Sequence, residues 1–400
     1  MKVKMKTVKS LSALLLAAVM LIAPLTVGAA DNSIRPLNEK RVKLHCVAWG
    51  DPQVSTYLKE REPYVISSAN DIKNNSASKI DALILAGDIT ENCIQDEWDW
   101  VYDDISGIGV KNYINATGNH DVRVHDYKTA IDCFTTFTNN LNKKAGSKLR
   151  IKKAYYSYEI NGYKFIVLGS EKATLEEAEI SNKQLKWLER ELDDAYKKNH
   201  PTFVVAHQPL KNTHGLPDTW GSAIDSAGTI GPQSDSIKKI LDKHPNTVFI
   251  TGHLHTGFGK YTYRKIGKIH SVNLPSVSID NEDGSYNNNG IGYMLEVYNN
   301  EVVFRARNFD EGKYVPKYDI HINLYVKSAK LSKKTYKYDG KAKKPSVKIV
   351  NVYGKKVPKK YYTVVYPKGR KNPGKYKVKI KFRGKYKKAK TLYRTFKIKG

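Results

Sequence analysis

The chain of 400 residues has few cysteines and only one long apolar run. Three cysteines, Cys46, Cys93 and Cys133, are too few for a disulfide-dense scaffold, and without a CxxC pair they exclude a zinc ribbon. At least one thiol stays unpaired, and either a Cys93–Cys133 bridge or three buried free thiols would fit. Beyond residues 11–27 no stretch approaches the roughly 18 apolar residues of a membrane helix, so the mature chain should contain no membrane span.

The single apolar run follows four lysines and ends at the small residues Gly28, Ala29 and Ala30. A basic start, an apolar centre and a small-residue cleavage point predict a secretory signal peptide over residues 1–30. An uncleaved membrane anchor is the alternative, although the run barely reaches spanning length and polar chain follows directly. No cysteine stands at the cleavage point, which argues against a lipoprotein.

Acidic residues are nearly missing from the C-terminal fifth of the chain. Residues 327–400 hold 28 lysines and arginines against one acid, Asp339, a net charge of +27, whereas residues 31–326 carry −2. The overall charge of +29 therefore describes one module and not the whole protein. Of its basic residues, 25 are lysine and three arginine, which favours diffuse attraction to polyanions over base readout by arginine forks.

The remainder of the chain alternates short apolar runs with helical patterns, which predicts an α/β body. The runs suit central strands that are covered on both faces. They lie at residues 44–49, 82–86, 113–116, 203–206 and 247–250. Helices are predicted at residues 95–105, 182–198 (capped by Ser181) and 234–243, and hairpin turns at Asn161-Gly162 and Asn299-Asn300. We predict a body at 31–315, a linker at 316–327 and an all-β module at 328–400.

A residue that could bind a metal follows each of the five apolar runs. The five segments are Gly50-Asp51-Pro52-Gln53, Gly87-Asp88, Gly118-Asn119-His120-Asp121, His207-Gln208-Pro209 and Gly252-His253-Leu254-His255. Because ligands gather at the carboxyl edge of an α/β sheet, we expect these side chains to form one site. Each segment alone is a weak signal, but five in series predict a metal centre.

This ordered set resembles the calcineurin-like metallophosphoesterase superfamily over about residues 42–310. The resemblance implies a sandwich of two mixed β-sheets flanked by helices, with two metals at its loop edge. Asp88 would bridge the metals. By the same resemblance, the first site would be completed by Asp51, Gln53 and His255, and the second by Asn119, His207 and His253. His120 would be the catalytic acid, and Asp121 would orient it.

The resemblance implies a metal-dependent phosphoric ester hydrolase. A phosphate mono- or diester would be attacked by a metal-bridging hydroxide while His120 protonates the leaving group. Gln53 stands where the family usually has histidine, and an amide oxygen suits manganese or magnesium better than zinc. We therefore expect two divalent cations, with manganese favoured and iron, zinc or magnesium as alternatives.

The loops at 122–128 and 211–231 should set specificity for the substrate. Two alternative functions stay open. One is a secreted nuclease or cyclic nucleotide phosphodiesterase, and the other is a catalytically weak surface-binding protein on the same fold.

The basic C-terminal module resembles a bacterial surface Ig-like domain. The matching phrases are Tyr336–Ala342, Pro345–Val347, Tyr361–Val364 and Pro373–Tyr376. The resemblance implies a small β-sandwich of the kind found in secreted proteins of Gram-positive bacteria. We expect an anionic cell-wall polymer as its partner, with nucleic acid less favoured, and an extracellular or wall-associated protein. The alternative is that the positive charge only keeps the module soluble.

Overall fold

The computed structural model describes residues 32–219, 228–387 and 389–400, so the predicted signal peptide lies outside the described residues. The described helices, α1 to α5, are Glu62–Asn75, Gln95–Ile105, Tyr127–Lys144, Asn182–Lys198 and Ser234–Lys243. The described strands, β1 to β19, are Leu44–Trp49, Ala82–Leu85, Tyr113–Asn115, Tyr156–Ile160, Tyr163–Val167, Thr202–Val205, Thr247–Thr251, Tyr263–Ile266, Ile269–Asn273, Ile291–Tyr298, Glu301–Asn308, Lys313–Tyr314, Ile320–Asn323, Val326–Leu331, Thr335–Lys337, Val347–Asn351, Tyr362–Val365, Gly374–Phe382 and Leu392–Lys399. In these ranges no helix is long and apolar enough to cross a membrane.

Two mixed sheets form the body. The first has seven strands in the order β12-β11-β10-β1-β2-β3, with β13 added beside β11. Its strands β1, β2 and β3 are parallel, and β10 joins β1 in the antiparallel sense. The second has six strands in the order β4-β5-β6-β7-β9-β8, with β5, β6, β7 and β9 parallel. The predicted α/β body of mixed sheets and helices is confirmed.

The second sheet is buried on both faces, as strand β6 shows. Successive side chains of a strand point to opposite faces. Phe203 and Val205 belong to the core that includes the first sheet, whereas Val204 and Ala206 pack with residues of α4 and α5. A continuous apolar run is therefore required here, and this explains why the runs were visible in the sequence.

The helices predicted at 95–105, 182–198 and 234–243 have those bounds in the structure, and Ser181 caps α4 by accepting a hydrogen bond from the Gln184 N–H at 3.2 Å. Helices α1 and α3 were not predicted. The α3 sequence is rich in threonine and asparagine, which are poor helix formers. Buried Phe134, Phe137 and Leu141 hold α3 against the core, so packing outweighs propensity there.

The predicted linker at 316–327 is partly wrong. Residues 320–323 form β13, which pairs with β11 and so extends the first sheet of the body. His321 and Asn323 alternate with buried Ile320 and Ile322, a short pattern that the composition shift obscured. The chain therefore leaves the body only after this strand, just before Val326.

The C-terminal residues form two small sheets, β14-β16 and β15-β19-β18-β17. Apolar side chains of both sheets share a core that includes Leu331, Val378 and Phe396. The turn after β16 reaches into the body. Tyr353 is buried and its hydroxyl bonds to Asn300 Oδ1 at 2.5 Å, while the Tyr196 hydroxyl donates to the Val352 carbonyl at 2.7 Å. An all-β C-terminal region is thus present, and its likeness to Ig-like domains stays a prediction.

Candidate metal centre

The predicted ligands converge at one edge of the sandwich. They follow the carboxyl ends of β1, β2, β3, β6 and β7, where the two sheets meet through a bridge between Gly50 and Ser276. The set is Asp51, Gln53, Asp88, Asn119, His207, His253 and His255, and all but His255 are at most 4 % exposed. Five segments that are far apart in sequence thus form one buried polar cluster.

The cluster divides into two groups that share one carboxylate. Asp88, His207 and His253 each offer a ligand atom within 4.8 Å of the others, and Asp51, Asp88 and His255 form a second such group. Asp88 Oδ2 lies 3.0 Å from His207 Nε2, and Asp51 Oδ1 lies 3.4 Å from His255 Nε2. A carboxylate common to two donor groups is what a bridging ligand of two metals requires.

The backbone is strained at these positions. Asp51, Gln53, Asp88, His253 and His255 all have φ between 36° and 76°, a region that residues with a Cβ seldom occupy. Such conformations persist where the surroundings determine them, most often at functional sites. Here the His253 N–H donates to the Asp51 carboxylate at 3.0 Å, and the Ser276 hydroxyl donates to the Asp51 carbonyl at 2.8 Å.

Glycine before a ligand allows these strands to approach one another. A Cβ on Gly118 would lie 1.9 Å from Asp88 Oδ1, and one on Gly252 would lie 2.6 Å from Asp51 Oδ2. Neither separation is compatible with van der Waals contact, so each glycine is required by the carboxylate beside it.

Hydrogen bonds aim two ligands at the centre. His207 Nδ1 donates to the Ala86 carbonyl at 2.7 Å, which leaves Nε2 facing Asp88. The Asn119 amide donates to the Leu175 carbonyl at 3.0 Å and to Glu176, which turns its Oδ1 toward His207 Nε2 at 3.1 Å. Burial alone would raise the pKa of Asp88, but the adjacent His207 holds that pKa well below its ordinary value.

The expectation that Asp121 orients the His120 ring is wrong. The Asp121 carboxylate instead accepts hydrogen bonds from the N–H groups of Gly118 at 2.8 Å, Ile89 at 3.0 Å and Thr90 at 2.9 Å. It therefore fastens the loop after β3 to the loop after β2, and so positions the backbone that carries Asp88 and His120. The sequence neighbour of a histidine need not face its ring, because the chain turns between them.

Glu91 holds the His120 ring. His120 Nδ1 lies 2.9 Å from the Glu91 carbonyl and 3.1 Å from its Oε1, while the His120 N–H donates to Asp88 at 2.9 Å. Burial would lower the pKa of His120, but the Glu91 carboxylate and Asp88 raise it. The His120 side chain is 13 % exposed, and its Nε2, which lies 3.1 Å from the Gln53 amide nitrogen, is the atom from which a protonated ring can donate a proton.

Glu91 also sets the orientation of Gln53. Its Oε2 accepts a hydrogen bond from Gln53 Nε2 at 2.7 Å, so the amide oxygen points the other way. That oxygen, Gln53 Oε1, is buried and has no hydrogen-bond partner among the described residues. Burial would raise the pKa of Glu91, but its bonds to His120, Arg61 and Gln53 lower it to about 2.

The donor set fits two hard or borderline divalent cations. It combines carboxylate and amide oxygens with imidazole nitrogens, and two buried carboxylates supply the negative charge that cations need. The orphaned Gln53 oxygen is explained if a cation binds it, since a buried amide oxygen otherwise carries a desolvation cost. Asp51, Gln53, Asp88 and His255 would hold one ion, and Asp88, Asn119, His207 and His253 the other.

Four charged residues around the centre were not predicted. Arg61 pairs with Glu91, and Arg123 lies 3.7 Å from Glu91 and 3.4 Å from Glu176. Glu91 stands three residues after Asp88 in Gly-Asp-Ile-Thr-Glu, so its place in the same loop was a readable signal. Arg61 and Glu176 come from other segments, and nothing local in the sequence marks them.

The fold is that of a dimetal phosphoesterase, and the cluster supplies side chains that could bind two metal ions. The family profile described as calcineurin-like phosphoesterase matches residues 55–257, and the chain belongs to that family. Asp51 and Gln53 precede the matched range, which includes the other ligands. The resemblance found in the sequence is thus confirmed for the body, and family membership supports a phosphoester hydrolase.

Among solved structures, the chain is similar to a dimetal phosphatase from Danio rerio, with 13 % identity and a TM-score of 0.48 over 70 % of this chain and 99 % of that one. It is also similar to the purple acid phosphatase PPD1 from yellow lupin (Lupinus luteus) seeds, with 13 % identity and a TM-score of 0.48 over 70 % of this chain and 53 % of that one. Among curated proteins, a search of their sequences found no match.

Proposed function

We propose that this protein is a secreted dimetal phosphoesterase that hydrolyses a phosphate mono- or diester. The observation that carries the proposal is the position of Asp88, which belongs to both donor groups of the buried cluster. A carboxylate in that position can hold two cations close enough to act on one phosphate. The proposal of secretion rests on the signal-like pattern of residues 1–30.

The residues of the chain divide the chemistry among them. When bound, two divalent cations would supply an acidified water as nucleophile and neutralise the phosphate oxygens. His120 Nε2 then protonates the leaving oxygen, since Glu91 and Asp88 favour its charged form. Arg61 and Arg123 place positive charge beside Glu91, next to the His120 ring, where a second anionic group of the substrate could bind.

Manganese is the proposed metal. Gln53 and Asn119 contribute amide oxygens, and such neutral oxygen ligands suit manganese and magnesium better than zinc. Gln53→Ala and Gln53→His separate the possibilities when metal content is measured after dialysis. We expect Gln53→His to shift preference toward zinc, and Gln53→Ala to weaken one site while the other is kept. Unchanged stoichiometry and preference in both variants would remove Gln53 from the ligand set.

The basic C-terminal region is proposed to bind an anionic cell-wall polymer. Its net charge of +27 and the scarcity of arginine favour a repeating anion over a base-specific ligand. The body would then act on phosphate esters near the wall. This part of the proposal is independent of the chemistry at Asp88.

A substrate panel with the full mature chain tests the activity. It contains para-nitrophenyl phosphate, its bis ester, cyclic nucleotides, single-stranded DNA and nucleotide sugars, each with manganese, zinc and magnesium. We expect turnover of at least one ester with manganese and its loss in Asp88→Asn. A strong preference for DNA or cyclic nucleotides would favour those alternatives, and inactivity with every metal, despite two bound ions, would favour a binding protein.

His120→Ala provides the mechanistic control on the best substrate. For poor leaving groups we expect a loss of kcat of about 10²- to 10⁴-fold, with both metals retained. The loss should shrink for para-nitrophenolate, which needs no proton to depart. An equal loss for both leaving groups would contradict the role of general acid.

A further inference from the structure

One face of the C-terminal four-stranded sheet is covered and the other is open. Alternate residues of β18 and β19, such as Val378, Ile380 and Phe396, point into the core of the module. The residues between them point outward and include seven lysines on three adjacent strands. We call these the lysine face: Lys337, Lys375, Lys377, Lys379, Lys381, Lys397 and Lys399.

Like charges meet on this face. Lys375 stands directly across from Lys397, and Lys337 directly across from Lys399. Like charges in directly opposed positions destabilise a sheet. Within the described part of residues 327–400, the ion pair is Lys343–Asp339, and it lies off this face. The charge on the lysine face is therefore not compensated by carboxylates of the module itself.

The spacing of the lysines fits an anion that repeats. Alternate residues of a strand are about 6.6–6.8 Å apart, so the four lysines of β18 leave the strand at even intervals along one face. Lys397 and Lys399 form a parallel row on β19. A linear polymer that carries one negative charge per repeat can satisfy several of these groups at once, whereas a single phosphate satisfies one or two.

The aromatic content of the face argues against nucleic acid. Sheets that bind single-stranded nucleic acid present open aromatic rings on which bases stack. The lysine face has one aromatic side chain, Tyr393, and its ring lies 4.5 Å from Lys377 Nζ and 5.9 Å from Lys379 Nζ. Tyr393 is still 44 % exposed, but it offers one stacking position, fewer than the roughly two or three of such sheets. With seven lysines and one open ring, the face favours contacts to phosphate over stacking of bases.

We propose that the lysine face is the polymer-binding surface of this protein, and that its ligand is a linear polyol phosphate without bases. This inference rests on the proposed association with the cell wall. It assigns the binding of the wall polymer to one defined surface and not to the net charge of the whole module. Binding then depends on where the lysines lie and not only on how many there are.

The test uses the full mature chain and two variants of equal charge. The face variant combines Lys375→Gln, Lys377→Gln, Lys379→Gln and Lys381→Gln. The matched control changes four exposed lysines outside the face, Lys341, Lys355, Lys368 and Lys371, to glutamine. Binding to deacylated poly(glycerol phosphate) and to oligo(dT) of equal phosphate number is measured at several salt concentrations.

We expect the face variant to bind poly(glycerol phosphate) at least about 10-fold more weakly, because it loses contacts to the polymer. The control should bind less than about 3-fold more weakly, because it loses only net charge. The slope of the logarithm of the binding constant against the logarithm of the salt concentration should also become shallower by about one unit or more, and only in the face variant. Its thermal midpoint should not fall, because repulsion across the sheet is relieved. If the quadruple variant does not fold, Lys377→Gln with Lys379→Gln is compared with Lys355→Gln and Lys368→Gln.

Equal losses in the two variants would overturn the defined surface while leaving wall association intact. Tighter binding of oligo(dT) than of poly(glycerol phosphate) would overturn the choice of ligand and favour nucleic acid. A wild-type chain that binds neither polymer would instead contradict the proposed wall association. Phosphoesterase activity, measured in parallel on para-nitrophenyl phosphate, should be the same in all three proteins.

Discussion

The body and the C-terminal module use charge in opposite ways. In the body, Asp51, Asp88 and His207 are buried within hydrogen-bonding distance of other charged or polar groups. In the module, lysines stand exposed on an open sheet, some directly opposite one another. Buried charges act through geometry because the low-dielectric interior makes each contact count. Exposed charges act through their sum, because water and salt screen each one. Single substitutions should therefore be severe in the first region and mild in the second.

Asp88→Asn should have the largest effect. Loss of the shared carboxylate charge should weaken both metal sites, and kcat/KM should fall by about 10³-fold or more. Metal content after dialysis and turnover with excess manganese measure the two consequences. A variant that keeps two tightly bound ions would show that Asp88 does not join the sites.

Tyr353→Ala tests whether the two regions are as separate as their charges suggest. Tyr353 packs 6.2 Å from the Tyr196 ring and bonds to Asn300, so its truncation should cost about 3 kcal/mol of the free energy of unfolding. Calorimetry should then show the module unfolding before the body. Tyr353→Phe, which loses only the hydrogen bond, should cost about 1 kcal/mol. A single unshifted transition in Tyr353→Ala would mean that this contact does not couple the regions.

Glu91→Ala tests whether Glu91 positions Gln53 and His120. We expect manganese affinity to fall by about 10- to 100-fold, as it does when groups that orient ligands are removed. Glu91→Gln keeps an oxygen that can accept from Gln53 and should lose less. Titration calorimetry of the metal-free protein gives the affinity without an activity assay. Equal losses in the two variants would indicate that charge and not orientation is what Glu91 provides.

Asp104 should make the stability of the body depend on pH. Burial, with the nearby Glu62 and Asp103, raises the pKa of Asp104 from 3.8 to about 7. The folded state thus binds the proton more tightly than the unfolded state, so stability falls as pH rises from about 4 through 7. Asp104→Asn should stabilise the protein at pH 8 by about 1–2 kcal/mol, allowing for solvent screening, and have no effect near pH 4. Asp99→Asn, exposed on the same helix and not one of these neighbours, is the control, and equal stabilisation by Asp104→Asn at both pH values would contradict the assignment.

The smallest effect is expected from single lysines of the module. Lys379→Gln should change polymer binding by less than about 2-fold, because its neighbours maintain the potential. A loss of 10-fold from this one change would mean that a specific pocket, and not a charged face, binds the polymer.

Much of the catalytic site could be predicted from the sequence because local chemistry marks it. Strands covered on both faces need continuous apolar runs, and a ligand directly after such a run stands at the edge of the sheet. Asp51, Asp88, Asn119, His207, His253 and His255 were all found by that rule, and the structure brings them together. The lysines of β18 were equally visible as an alternating pattern.

Only the tertiary structure decided which neighbours those residues meet. Asp121 follows His120 in sequence but bonds to the loop after β2, while Glu91 and Arg61, from more distant segments, complete the surroundings of the His120 ring. Helix α3 forms because aromatic side chains bury against the core, despite its poor local propensity. The lysines become one face because the alternate side chains of three paired strands are buried. Strand pairing and burial are long-range properties, and the order of residues along the chain does not encode them locally.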